Sequence, residues 1–501
     1  MNEVDLDNPQ SPFSRRRAGM LLHPTSLPFT PAGGALGPEA RHFVDFLVDC
    51  GLGLWQMLPL GPTHADGSPY ACLSVFAGAP ELISLSAMAA AGWMEGEPGQ
   101  PDADPAAWQR ACLERGHGHF QRHASTADRA ALQRFSEAQA YWLDDYCLYQ
   151  ALRAAHGGRS WLDWPAPLRD RDPSALAQAR QDLHAQVEQI RFEQFVFEIQ
   201  WLDLKRYANE RDVLLFGDMP IFVAHDSAEV WARREDFTLD KQGRAETVAG
   251  VPPDYFSKTG QRWGNPLYRW ERMQRDGFEW WRRRVGHQLA LFDIVRIDHF
   301  RGFQAYWEIP ASADTAVEGA WVEAPGTELF RALKASFDPL PVVAEDLGLI
   351  TAEVDALRQQ FSLPGMKVLQ FAFGDDAANP YLPHNHEHDS VAYTGTHDND
   401  TTVGWWDGEL DDSAREQVRE YLGWPQEDMP WPLIRAAFAS VARLAVIPMQ
   451  DALELGSEHR MNVPGTGADN WQWRFDWDMV PADLAGRLRR LAQLYGRQVG
   501  D

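Results

Sequence analysis

The chain has 501 residues, of which 45% are hydrophobic and 24% charged, with a formal net charge of −26. That composition belongs to a soluble globular protein, and the length allows one large domain with insertions or two to four smaller ones. The acidic excess excludes the basic face that nucleic acid or an anionic membrane surface demands, and no stretch approaches the ~18 apolar residues of a membrane span.

In chain order, residues 1–14 are polar and read as a disordered tail ahead of a single folded unit, 15–501. Arg15, Arg16 and Arg17 precede an apolar run, Ala18 to Leu22, that is too short for a signal peptide. That run reads as a first strand opening into the loop His23-Pro24-Thr25-Ser26-Leu27-Pro28. Phe43, Phe46, Leu47 and Cys50 then recur at helical spacing until Gly51 stops the pattern. Leu54 to Leu58 reads as a second strand, and the loop after it carries Ser68-Pro69-Tyr70. This β-α-β opening favours an α/β architecture. The four cysteines (Cys50, Cys72, Cys112, Cys147) lack CxxC spacing, so reduced thiols in a cytoplasmic protein are expected, with neither a disulfide frame nor a zinc site.

Residues from about 80 to 210 break the rhythm and read as a helical insertion. One helix is expected from about Ala127 to His156, and another from Pro173 through Phe192, Phe195, Val196 and Ile199. The rhythm resumes with a buried strand, Val213 to Asp218. A long stretch at about 223–270, rich in Gly, Pro and aromatics, reads as an ordered lid or insertion loop. Its aromatic candidates are Tyr255, Phe256 and Trp263. A helical stretch, Trp270 to Leu291, leads into LFDIVRIDHFRG at 291–302, and further strands fall near 343, 369, 392 and 446. Eight strand candidates separated by helices point to a (β/α)8 TIM-type barrel, whose functional residues collect at the carboxyl ends of the strands.

Four of those ends deliver acids: Asp218, Asp298, Glu345 and Asp398. Strand residues two apart share a face, so Arg296 should project beside Asp298 and hold it ionised. A structural Arg–Asp pair closing a loop is the bland alternative. Glu345 follows an apolar run with no adjacent cation, which favours its protonated form. One ionised and one protonated carboxyl at a shared mouth is the equipment for breaking a glycosidic bond. Carboxylate clusters at barrel mouths also hold Mg²⁺ or Mn²⁺, with His397 and His299 as possible further ligands, although no HxH or HExxH spacing occurs. The 21 tryptophans suit ligands that are apolar on one face and hydroxylated at the rim, and equally suit a large core.

Several motifs in order carry a more specific signal: LLHPTSLP at 21–28, WQMLPLGPT at 55–63, SPY at 68–70, GDMPIFVAHDSAEVW at 217–231, AGVPPDYFSKTGQRWGNPLY at 249–268, RIDHFRG at 296–302, AEDLG at 344–348, YTGTHDNDT at 393–401 and RMNVPGT at 460–466. With these the chain resembles the 4-α-glucanotransferases called amylomaltases or disproportionating enzymes, relatives of the α-amylases. The resemblance implies a barrel with inserted subdomains and no separate C-terminal β-domain. It implies a retaining transfer of α-1,4-glucan segments with Asp298 as nucleophile, Glu345 as acid/base and Asp398 as the third carboxylate. Tyr70, Asp218, Arg296 and His397 would line the sugar site. Asn462 and the 250–268 loop would form the acceptor side and a lid. It implies maltooligosaccharides and amylose-, starch- or glycogen-type glucans as partners, a cytoplasmic setting, and no cofactor or metal.

Overall fold

The computed structural model describes residues 11–28, 35–96, 98–99, 104–253, 257–467 and 469–499. Among these residues twelve strands form: β1 (Arg17–Leu21), β2 (Leu54–Gln56), β3 (Leu214–Pro220), β4 (Thr247–Val251), β5 (Gln261–Pro266), β6 (Ile294–Asp298), β7 (Ala305–Pro310), β8 (Ala320–Glu323), β9 (Val342–Ala344), β10 (Gly365–Val368), β11 (Ser390–Tyr393) and β12 (Leu444–Pro448). Eight of them make one sheet in the order β10-β11-β12-β1-β2-β3-β6-β9, with every pairing parallel. The Ala344 amide at the end of β9 donates to the Pro364 carbonyl just before β10 (2.8 Å), which brings the two sheet edges together. The result is a (β/α)8 barrel built from the eight strands expected from sequence.

Alternation along the strands sorts residues into two layers. Phe216, Ile294, Val343, Val391, Tyr393 and Val446 point inward and form the barrel's interior cluster. Leu215, Val295, Ile297, Val342 and Ala392, one residue out of phase, join the outer cluster that packs the helices. Each fully buried aliphatic side chain is worth about 1.5–3 kcal/mol, so a one-residue slip of any strand would be heavily penalised. The same parity carries Phe216 to Asp218, Ile294 to Arg296 and Asp298, and Val343 to Glu345. The apolar interior therefore fixes which polar side chains project into the mouth.

The amino-terminal boundary needs correction. Residues 11–14 fell within the expected tail, yet Phe13 is only 4% exposed and joins the interior cluster. Its carbonyl accepts from Arg443 Nη1 (3.1 Å), beside the start of β12. An apolar ring inserted at the open end of the strands outweighs the polarity of its neighbours.

Helix boundaries also differ from expectation. The expected helix 127–156 is two, Thr126–Ala138 and Ala140–Ala155, broken at Gln139. The one from Pro173 breaks at Leu183 into Pro173–Asp182 and His184–Asn209. The stretch 270–291 is Trp270–Arg275 and Glu279–Leu291, split where Gly277 and Phe278 take φ of 71° and 57°. Within the 223–270 region lie β4 and β5, which join β7 and β8 in a second, antiparallel sheet ordered β5-β4-β7-β8. At Gly250 in β4 a Cβ would lie 2.2 Å from the Gln261 carbonyl, so only glycine permits that strand approach. No described helix is long and apolar enough to cross a membrane.

Candidate active site

Asp218 on β3 stands opposite Arg296 on β6 in the parallel register. The Arg296 guanidinium forks between two carboxylates: Nη1 lies 2.6 Å from Asp218 Oδ2, and Nη2 lies 3.0 Å from Asp298 Oδ1. A planar guanidinium can grip both at once. Burial by itself disfavours the Arg296 charge, but Asp218 and Asp298 more than offset that and lift its pKa well above the ordinary value. The Tyr70 hydroxyl donates to the same Asp218 Oδ2 (2.7 Å). Burial raises the Asp218 pKa, against the pull of Arg296 and the Tyr70 hydrogen bond. Asp218 Oδ1 is buried without a hydrogen-bond partner.

Continuing the β6–β9 register beyond Ile297 and Ala344 puts Asp298 opposite Glu345. The Glu345 amide donates to the Ile297 carbonyl (3.0 Å), extending the ladder to this point. Both Glu345 carboxyl oxygens are held by backbone: the His299 N–H donates to Oε2 (2.7 Å) and the Leu347 N–H to Oε1 (3.0 Å). Burial, aided by the Asp298 charge, pushes the Glu345 pKa up to about 7 against Arg296 and the two N–H donors. At neutral pH this carboxyl is available both to give a proton and to take one.

His397 and Asp398 come from the loop after β11. His397 Nε2 lies 3.2 Å from Asp398 Oδ2, and Asn462 Nδ2 donates to Asp398 Oδ1 (2.6 Å). Burial works to raise the Asp398 pKa, but His397, Asn462 and Arg296 outweigh it and hold the carboxyl well below the usual range. The Asp398 side chain stays 46% exposed, so it faces open space as an ionised group. Tyr70 stacks on His397, with centroids 5.2 Å apart and planes at 14°. Trp471 packs against both rings at 5.9 and 6.0 Å.

The barrel thus gathers Tyr70, Asp218, Arg296, Asp298, Glu345, His397, Asp398 and Asn462 around its carboxyl-terminal mouth. Of the expected lid aromatics, Tyr255 and Phe256 lie outside the described residues. Trp263, on β5, is 39% exposed and meets the His299 ring edge-on at 4.8 Å. Four participants escape sequence reasoning. The N–H groups of His299 and Leu347 leave no side-chain signature. Trp471 is one indole among 21, and Arg460, whose Nη2 donates to the Asp398 carbonyl (3.0 Å), begins a motif from which only Asn462 stands out. Among the described residues no group of three or more His, Cys, Asp or Glu is disposed to hold a metal ion.

Comparison with known proteins bears on the family and the fold. A family model described as 4-alpha-glucanotransferase, glycoside hydrolase family 77, matches residues 22–479. The chain is 51% identical over 495 residues to a 4-alpha-glucanotransferase of Thermus thermophilus, covering 95% of this chain and 98% of that protein. It is 47% identical to a 4-alpha-glucanotransferase of Synechocystis sp., covering 97% and 99%. A solved amylomaltase from Streptococcus agalactiae, in complex with acarbose, superposes with a TM-score of 0.92 at 35% identity, covering 97% of this chain and all of that one.

Proposed function

The chain belongs to the 4-alpha-glucanotransferase family, glycosyltransferases acting on α-1,4-glucans, and from that premise we propose that Asp298, Glu345 and Asp398 carry its reaction. The observation that carries this reading is the pairing of Asp298 and Glu345 on adjoining strand ends, with Arg296 against the first and burial raising the pKa of the second. Asp298 attacks the anomeric carbon of the donor glucan while Glu345 protonates the departing glycosidic oxygen. A covalent glucosyl-enzyme forms on Asp298. Glu345, now a base, takes the proton from the 4-hydroxyl of an acceptor glucan or glucose, and a second inversion restores the original configuration. This requires the two carboxyl groups to stand ~5–5.5 Å apart.

Asp398 holds the hydroxyls of the distorted sugar, kept ionised by His397 and Asn462. Tyr70, Arg296 and His397 line the same subsite, and Asp218 anchors Tyr70 and Arg296. Trp263 on β5 would exclude water from the intermediate, so that transfer outruns hydrolysis, and Tyr255 and Phe256 are the further candidates for that role. The substrates are maltooligosaccharides and longer α-1,4-glucans in a cytoplasmic setting, as expected from the family and the thiol pattern.

Incubation with maltotriose tests the reading. Glucose together with maltooligosaccharides longer than maltotriose is the expected product set; glucose and maltose alone would mean a hydrolase. Asp298→Asn should abolish both activities. EDTA should leave them unchanged, and its inhibition would favour the metal alternative.

A further inference from the structure

Resting on the assignment of Glu345 as acid/base, we propose that the His299 imidazole is a positioning element through which strand β5 holds Glu345 in place. The His299 N–H grips Glu345 Oε2 at 2.7 Å. It points there because His299 adopts φ 53° and ψ 49°, the left-handed region. Such a conformation is uncommon for a non-glycine residue, although histidine enters it more often than most. Glycine or asparagine enters it as well, so what the imidazole adds is its packing.

The ring is wedged in place. Trp263 of β5 meets it edge-on, centroids 4.8 Å apart at 87°, and Phe222 lies 6.3 Å away. Gly302 makes room on another side: a Cβ there would sit 3.2 Å from His299 Cδ2. Proton transfer is not its task. Nε2 is buried without a partner, and burial lowers the ring's pKa to about 4 against Asp298, with Arg301 adding to the fall. A neutral ring packed under Trp263 fixes the backbone, and the backbone fixes the carboxyl. Trp263 thereby acts on the acid/base with His299 as the intermediary.

The test compares two donors by kcat/KM, with glucose as acceptor. Maltotriose needs its leaving oxygen protonated, whereas α-maltosyl fluoride releases fluoride without an acid. Glu345→Gln is the reference and should lose maltotriose activity while keeping most of the fluoride release. His299→Gly and His299→Asn retain the N–H and tolerate the left-handed backbone but remove the ring. They should lose about tenfold on maltotriose and under about twofold on the fluoride, a fraction of the ~10²–10⁴-fold that general acid catalysis supplies. Trp263→Leu, at a side chain 39% exposed, should show the same donor bias without touching Glu345. Equal losses on both donors, or none, in the His299 variants overturn the inference. If those variants do not fold, the same outcomes in Trp263→Leu decide it. A Glu345→Gln enzyme that the fluoride does not rescue overturns the acid/base assignment, and this inference with it.

Discussion

Replacing Arg296 tests the electrostatic frame of the mouth most directly. The guanidinium spans 2.6 Å to Asp218 and 3.0 Å to Asp298, with the Arg296 and Asp218 side chains 5% and 1% exposed. Arg296→Lys keeps the charge but replaces a two-pronged fork with a point donor, so one contact is lost. A hydrogen bond between charged groups is worth ~1.5–3 kcal/mol, which corresponds to a roughly 10- to 150-fold fall in kcat/KM for maltotriose. Arg296→Met goes further and leaves a buried Asp218 without its cation, a loss of ~3–5 kcal/mol in stability, read from urea denaturation. The pH profile separates the two variants. Arg296 lowers the pKa of Glu345, which stands at about 7. Glu345 must be protonated to act as the acid, so the alkaline limb of the rate profile follows that value. Lysine preserves the neighbouring charge and should leave the limb where it is. Methionine removes it, the Glu345 pKa rises, and the limb moves to higher pH. An Arg296→Lys enzyme within twofold of the parent, or an Arg296→Met profile whose alkaline limb moves down, would refute the forked arrangement as the organising charge.

Asn462→Ala removes the amide that donates to Asp398 at 2.6 Å. The Asp398 pKa then rises toward the ordinary range while His397 and Arg296 still hold it down, and kcat/KM falls about tenfold at neutral pH as a hydrogen bond to a charged group is lost. A kcat/KM for maltotriose equal to the parent's would count against the Asn462–Asp398 bond as a support of the reaction. Tyr70→Phe keeps the ring stacked on His397 but deletes the hydrogen bond to Asp218. Kinetics on maltotriose should show about a tenfold loss from that bond, whereas the fold, followed by circular dichroism, stays intact. Gly217→Ala on β3 would put a methyl 2.3 Å from the Phe292 ring in the packed outer layer. Overpacking of this kind costs about 1–3 kcal/mol, seen as a lower urea midpoint, and a midpoint equal to the parent's would show that the ring can shift freely.

Much of the barrel is legible in the chain because its strands are short apolar runs, several of them β-branched or followed by a polar residue, and the eight expected runs coincide with the observed strands to within a few residues. Asp218, Asp298 and Glu345 are legible for the same reason: burying a strand tip that carries a charge demands a partner or a use. Local pattern also marks the motifs that tie the sequence to its family. The chain alone does not show what depends on the third dimension. Arg296 reaches Asp218 as well as Asp298 only because β3 and β6 pair in register. Phe13 is packed because the open end of the barrel offers an apolar hole, which no local polarity count detects. The antiparallel sheet joins β4 and β5 to strands some forty to seventy residues later, and its short members have no period of their own. The grip on Glu345 comes from amide N–H groups, which every residue but proline owns, and only the left-handed turn at His299 aims one of them. Sequence determined which side chains could do the chemistry; tertiary structure decided which atoms hold them, because hydrogen-bond direction and burial are properties of the assembled barrel.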